Sequence, residues 1–296
     1  MKALATAHWR ELITEGIGEE TAKNVIAAAR KVLDIGFIRG DELVKLRAGR
    51  KKLTTGCTSL DDLMRGGLET ESITEFYGEF GSGKSQFCHQ LAVTAQLPEE
   101  EGGLAGNVLY IDTEQVFRPE RCIEMASRFE YFKDNPKKVL NGIIFADAYT
   151  SSHQMLLLES ADEIIKDNKV KLIVIDALMS HFRSEYIGRE MLAARQQQLN
   201  KHIHKLTRLM RAFECAAAIA NQVSDVPDAY HSGFDPKAIG GHILGHAVHT
   251  RLFIRKSRPP QRIVKVVASP FLPEGEAPVL ITEKGIVSTD QIEDDA

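Results

Sequence analysis

The residues Gly78 to Ser85, GEFGSGKS, match the spacing G-x-x-x-x-G-K-(S/T). Each residue type has a chemical reason. Glycines let the backbone curl until several N–H groups point at one phosphate, and a following helix adds its positive end. The expected cradle is Gly78, Glu79, Phe80, Gly81, Ser82, Gly83, Lys84, Ser85 and Gln86. Lys84 is long enough to reach the β- and γ-phosphates of ATP, and the Ser85 hydroxyl is a ligand for Mg2+. The spacing alone has false matches. Here an apolar run, SITEFY, precedes the loop and a helical pattern follows it, which is the context such a loop requires.

Two acids fit the same chemistry. Asp176 closes the apolar run LIVID, where phosphate-loop ATPases hold Mg2+. Without the loop it would read as a turn or cap residue. Glu114 follows NVLYIDT, at the end of another apolar run. Ligands of open parallel sheets bind outside the carboxyl ends of the strands. A carboxylate there can orient and polarise an attacking water; the plainer alternative is a surface glutamate.

These residues need a scaffold. SITEFYG, NVLYIDT, NGIIFAD, KLIVIDA and CAAAIANQV are short apolar runs separated by helical periods. Strands that are apolar throughout imply an α/β fold with a mostly parallel sheet covered on both faces. HTRLFIRKS and RIVKVVASP flank a polar, proline-bearing turn and read as a hairpin extending that sheet. Before the core, LATAHWRELI and ETAKNVIAAARKVL show helical spacing, broken by Gly16 and Gly18. The organisation expected is a partial helix-hairpin-helix domain over 1–36, a linker over 37–53 and the ATPase core over 54–296.

The chain has 296 residues and a formal net charge of -4, which argues against coating nucleic acid by bulk charge but leaves room for a local basic surface. The four cysteines, Cys57, Cys88, Cys122 and Cys215, lack zinc-ligand spacing and read as buried thiols. No apolar run approaches the roughly 18 to 20 residues that span a bilayer. A soluble intracellular protein without a membrane partner is expected.

GEFGSGKSQFCHQLAVTAQLP, YIDTEQVFRPER, LIVIDALMSHFRSEYIGRE, ARQQQLNKHIHKL, ANQV, GGHILGHA and SPFLPEGEA together resemble the archaeal RadA recombinases and their eukaryotic relatives. The resemblance runs in order from about Gly16 to Ile286. It implies a RecA-like P-loop ATPase core that binds ATP and Mg2+ and exchanges homologous DNA strands. It gives Lys84 and Ser85 to phosphate and Mg2+, Asp176 to Mg2+ and Glu114 to catalysis. Arg121 would stack on adenine. Gln222 would sense the γ-phosphate, with His242 in a similar part near a subunit boundary. Ser269 to Glu276, including Pro270, would cap a neighbour's nucleotide. Single- and double-stranded DNA and further copies of the chain, in a filament or ring, are the implied partners. The implied compartment is the cytoplasm (with the nucleoid) in an archaeon and the nucleus in a eukaryote.

Two segments resemble the family's DNA loops, Arg183 to Arg189 and Ser224 to Ile239, the second followed by Gly240 and Gly241. The second is long and polar with glycine, proline and aspartate, as functional loops are. The Gly16–Gly18 turn resembles half of a helix-hairpin-helix, which holds duplex phosphate. GFIRGDE resembles the polymerisation motif, with Phe37 entering a neighbour and Gly40 in the small position.

The chain also departs from the family pattern. Gln115 and Val116 stand where Gly and Thr are usual, Ala177 where Ser is usual and Ala268 where Asp is usual. That aspartate helps seat a monovalent cation beside the γ-phosphate in some relatives, and its loss puts such a cation in doubt. A regulatory paralogue that binds ATP and DNA without exchanging strands, which the departures at Gln115 and Ala268 favour, and, separately, a RecA-like ring motor stay open as alternatives.

Overall fold

The apolar runs assemble into one nine-stranded sheet in the computed structural model, which describes residues 1–14, 16–224 and 236–290. Two short strands, β1 (Lys52–Leu53) and β2 (Leu68–Glu69), pair separately. The main sheet comprises β3 (Ile73–Gly78), β4 (Asn107–Asp112), β5 (Ile143–Asp147), β6 (Val170–Asp176), β7 (Ala216–Gln222), β8 (Thr250–Lys256), β9 (Gln261–Ala268), β10 (Gly275–Thr282) and β11 (Gly285–Val287). Its order is β11-β10-β9-β8-β3-β7-β6-β4-β5. The six strands from β8 to β5 in that order are mutually parallel; β9, β10 and β11 continue antiparallel.

The five expected parallel strands and the β8–β9 hairpin are present. β10 and β11 were not expected. They add to the sheet edge the hairpin that later closes on the phosphate loop.

The strands are apolar throughout because each face meets helices. Phe76, Tyr110, Val174 and Ala218 pack on one side with Phe87, Cys88 and Leu91 of the helix after the phosphate loop. Ile73, Ile111, Ile175 and Ile219 pack on the other with Leu199, Ile203 and Leu206 of the long helix before β7. The helices that matter, in chain order, are α1 (Lys2–Thr6), α2 (Glu19–Val32), α3 (Gly40–Ala48), α4 (Thr58–Leu63), α5 (Lys84–Thr94), α6 (Pro119–Ala126), α7 (Ser151–Glu159), α8 (Ala161–Asp167), α9 (Ser180–Glu185), α10 (Leu192–Phe213) and α11 (Gly241–Ala247). Five buried apolar side chains on α10, spaced three, four or one apart, each contribute about 2 kcal/mol by burial. Exposed ion pairs contribute about 1 kcal/mol or less, so burial holds this layer.

The amino-terminal segment differs from expectation. The first helical pattern splits into α1 and a single 3-10 turn, Trp9–Glu11. His8 causes the break: its side chain accepts from the Arg10 N–H and caps a new turn. Residue 16 has φ 95°, a conformation suited to glycine, and a Thr14–Ile17 bridge closes the turn before α2. Little is buried here beyond Ala5, Ala22, Ile26 and Ala29. Lys2–Glu214 and Glu11–Arg208 pairs tie the segment to the core. The charged stretch expected as linker contains α3, held by Arg47–Glu69 (3.3 Å) and Arg50–Glu71 (3.2 Å).

Candidate functional site

The registers bring four chain segments to one end of the sheet. Gly78 pairs with Gln222 across β3 and β7, and Asp112 pairs with Asp176 across β4 and β6. The phosphate loop, Glu114, Asp176 and Gln222 thus all leave carboxyl ends of adjacent parallel strands.

The loop's glycines are required by space and conformation. Gly83 has φ 108°, and a Cβ there would lie 2.5 Å from Ile281 Cδ1. A Cβ on Gly78 would meet the Ile254 carbonyl oxygen at 2.3 Å. The β8–β9–β10 extension therefore walls the loop, and Arg262 adds a bond from Nε to the Ser82 carbonyl at 3.1 Å. α5 starts at Lys84, so its first N–H groups point into the cradle. Lys84 Nζ donates to the carbonyls of Gly78 (3.1 Å) and Glu79 (2.9 Å). Burial lowers the Lys84 pKa, opposed by Glu114 and Asp176. Phe80 is 93% exposed, so at that position it is the backbone that belongs to the cradle.

Asp176 is buried. Its Oδ2 accepts from the Tyr110 hydroxyl at 2.9 Å, and Ser85 hydrogen-bonds to it. Burial pushes its pKa up to about 6 against those two bonds. A cation would relieve that penalty, so Asp176 and Ser85 fit Mg2+. Ala268 has no side-chain oxygen to offer a monovalent cation.

Glu114 is placed by its neighbours. Asp112 Oδ1 accepts from the Glu114 N–H at 3.0 Å and Oδ2 from the Phe117 N–H at 2.8 Å. The Thr113 hydroxyl donates to the Ala177 carbonyl (2.8 Å) and accepts from its N–H (2.9 Å). The turn puts Gln115 at φ 57°, the left-handed region that favours glycine. Glu114 Oε1 accepts from Gln222 Nε2 at 2.9 Å. Beside this turn, His89 Nε2 accepts from the Arg118 N–H at 3.0 Å, and burial lowers the ring's pKa to about 4.

Arg121 lies at the far side of the cradle. Its Nε donates to Gln86 Oε1 at 2.8 Å, and its other nitrogens reach the carbonyls of Thr282 and Glu283 and the Glu124 carboxylate. Four of its five N–H donors have these partners, which holds the guanidinium in place.

Other expected residues lie apart. Pro270 and His242 are exposed, the latter on α11 with its ring 6.0 Å from His246. Among the described residues neither hydrogen-bonds to the phosphate loop. Phe37 is fully exposed, three residues before Gly40 opens α3. Arg183 lies on α9 and Arg189 follows it; both are exposed. Arg183, Gln222, Asn221 and Ile239 line one cavity of about 360 Å3, so the bases of the two expected DNA loops meet. Residues 225–235 of the second loop lie outside the described residues. Gly240 (φ 115°) and Gly241 (φ 63°) lead into α11.

Sequence reasoning missed Asp112, Thr113, Tyr110 and Arg262. The run YIDTE held the signal for three of them, since polar side chains within an otherwise apolar strand and its exit need partners.

The Rad51 family model matches residues 47–289 of the chain.

Proposed function

This chain belongs to the Rad51 family of RecA-like ATPases, and from that premise we propose that it is a DNA-dependent ATPase that forms filaments on single-stranded DNA and exchanges it with homologous duplex. Members of the family bind ATP and DNA and act in recombination and repair. Our finer reading makes this chain an active recombinase of the archaeal RadA kind, working where its DNA lies.

The observation that carries the proposal is the Gln222–Glu114 hydrogen bond, because it joins the ATP site to the base of the second DNA loop. In this reading Glu114 accepts a proton from the attacking water and orients it. Lys84 and the amino end of α5 stabilise charge on the transferring phosphoryl group. Mg2+, held by Ser85 and Asp176, would neutralise phosphate oxygens. Arg121 would take the adenine on its flat face. His242 and Pro270, apart from the phosphate loop in one chain, would serve a neighbour's nucleotide, and Phe37 would bind that neighbour. Arg183, Arg189 and the amides of Gly240 and Gly241 would hold DNA phosphates with little sequence preference. Residues 1–36 would form a duplex-binding unit and 37–53 the linker.

A regulatory paralogue is the second reading. The left-handed Gln115 beside the catalytic acid favours it. ATP hydrolysis with and without single-stranded DNA, with Glu114→Gln as control, tests the first reading. Stimulation that Glu114→Gln abolishes supports it. Tight nucleotide binding without stimulated turnover moves the reading to the paralogue.

A further inference from the structure

Glu75 is a carboxylate in the middle of the sheet, on β3, and is 0% exposed. Its two oxygens have different partners. Oε2 accepts from Arg251 Nε of β8 at 2.5 Å, and Oε1 accepts from Asn221 Nδ2 of β7 at 2.7 Å. Arg251 is held in turn. Its guanidinium lies 5.5 Å from the Tyr77 ring centre and packs beside Gly245 of α11, where a Cβ would approach Nη1 to 3.4 Å.

Asn221 carries the geometry outward. Its second amide hydrogen goes to the Ile239 carbonyl at 2.6 Å, and its Oδ1 accepts from the Gln222 N–H at 2.8 Å. These bonds fix which way the amide points. They also bind both sides of one narrow neck. Ile239 N–H donates to the Gln222 carbonyl at 3.0 Å, Ser224 N–H to the Lys237 carbonyl at 2.8 Å, and Val223 bridges Ala238.

A buried ion pair is poor at stabilising a fold, because an apolar pair of similar volume is often as good or better. Sheet stability therefore does not account for Glu75. Its oxygens do account for the orientation of Asn221. Resting on the proposed coupling of ATP and DNA, we propose that Glu75 is a positioning residue: fixed by Arg251, it orients Asn221, which closes the neck and aims Gln222 at Glu114.

The test uses the full chain with two paired substitutions. Glu75→Leu with Arg251→Met removes both charges and the acceptor for Asn221. Glu75→Gln with Arg251→Met also removes the charges but keeps an amide oxygen for Asn221. Hydrogen exchange is read by peptide without nucleotide, melting temperature is recorded, and single-stranded-DNA-stimulated hydrolysis is split into kcat and KM for ATP. The Leu/Met pair is expected to melt no lower than the natural chain, yet to exchange about tenfold faster at 222–224 and 237–239. Its stimulated kcat should fall about tenfold while KM stays within about twofold. The Gln/Met pair should restore both readings.

Two results overturn the proposal. One is natural exchange at the neck in the Leu/Met pair. The other is a lower melting temperature with faster exchange across β4 and β6, which makes the pair ordinary core. If the natural chain shows no DNA stimulation, the proposed function fails separately, and neck exchange alone decides whether Glu75 positions Asn221.

Discussion

Gln222 Nε2 donates to Glu114 Oε1 at 2.9 Å although their strands, β7 and β4, are not neighbours. β6 runs between them and ends at Asp176. The bond therefore passes over the carboxylate that fits Mg2+. In the proposed mechanism, movement of the segment after Gln222 would change the freedom of Glu114 to engage water.

Glu114→Gln should lower stimulated ATP turnover at least about a hundredfold, the scale of a lost general base. Affinity for a fluorescent ADP analogue should stay within a few-fold. Gln222→Ala should reduce the DNA-stimulated increment more than it changes nucleotide affinity. Steady-state hydrolysis and fluorescence titration measure both.

Lys84→Ala removes the half-buried ammonium from the cradle and frees the carbonyls of Gly78 and Glu79. Loss of a charge-assisted contact costs about 1.5–3 kcal/mol, so ATP affinity should fall at least about tenfold. Calorimetric titration reads this directly, and unchanged affinity would remove Lys84 from the phosphate site.

Gln115 sits at φ 57°. Left-handed backbone costs a side-chain-bearing residue about 1–2 kcal/mol, and glycine gives part of that back as unfolded-state entropy. Gln115→Gly should therefore be neutral to stabilising by up to about 1 kcal/mol, whereas Gln115→Val should destabilise. Urea unfolding of the two variants distinguishes the signs.

Phe37 is fully exposed with Ile35 and Ile38 near it, also exposed. Phe37→Glu should shift the chain toward monomer without lowering its melting temperature. Light scattering gives the mass, and assemblies of unchanged size would show that Phe37 is not the contact.

His202 is buried on α10, 3.2 Å from Gln154 Nε2, and burial lowers its pKa from 6.5 to about 4. The unfolded chain then binds the proton more readily than the folded chain. Stability from this site is complete above about pH 6.5 and declines as pH falls toward 4, by up to about 3 kcal/mol. His89, shifted to about 4 for the same reason, adds a parallel decline. His202→Leu should flatten part of the slope of unfolding free energy between pH 6.5 and 5.

What the sequence revealed follows from how each residue is used. ITEFYG and LIVID were legible because both faces of those strands are covered, so apolar composition persists along the run. GEFGSGKS was legible because its glycines answer to sterics that admit few substitutes. β10, GEAPVLIT, was not. Its burial alternates and it carries Glu276 and Pro278, so composition alone resembles a loop. Glu75 was equally hidden: a glutamate in a strand reads as a surface residue until its partners, 146 and 176 residues away, are brought beside it. The amino-terminal helix failed because the side chain of His8 competes with the helical backbone, a local choice that periodicity does not register.

Arg121 takes two of its acceptors from Thr282 and Glu283, and Gly83 is walled by Ile281. The phosphate loop itself is made some two hundred residues earlier. A growing polypeptide thus displays a glycine loop without its Ile281 wall, and Arg121 without two of its acceptors, until Glu283 has left the ribosome. During synthesis the phosphate loop, Asp176 and Arg121 are all made before this wall, so the complete cradle exists only once residues 281–283 have joined them.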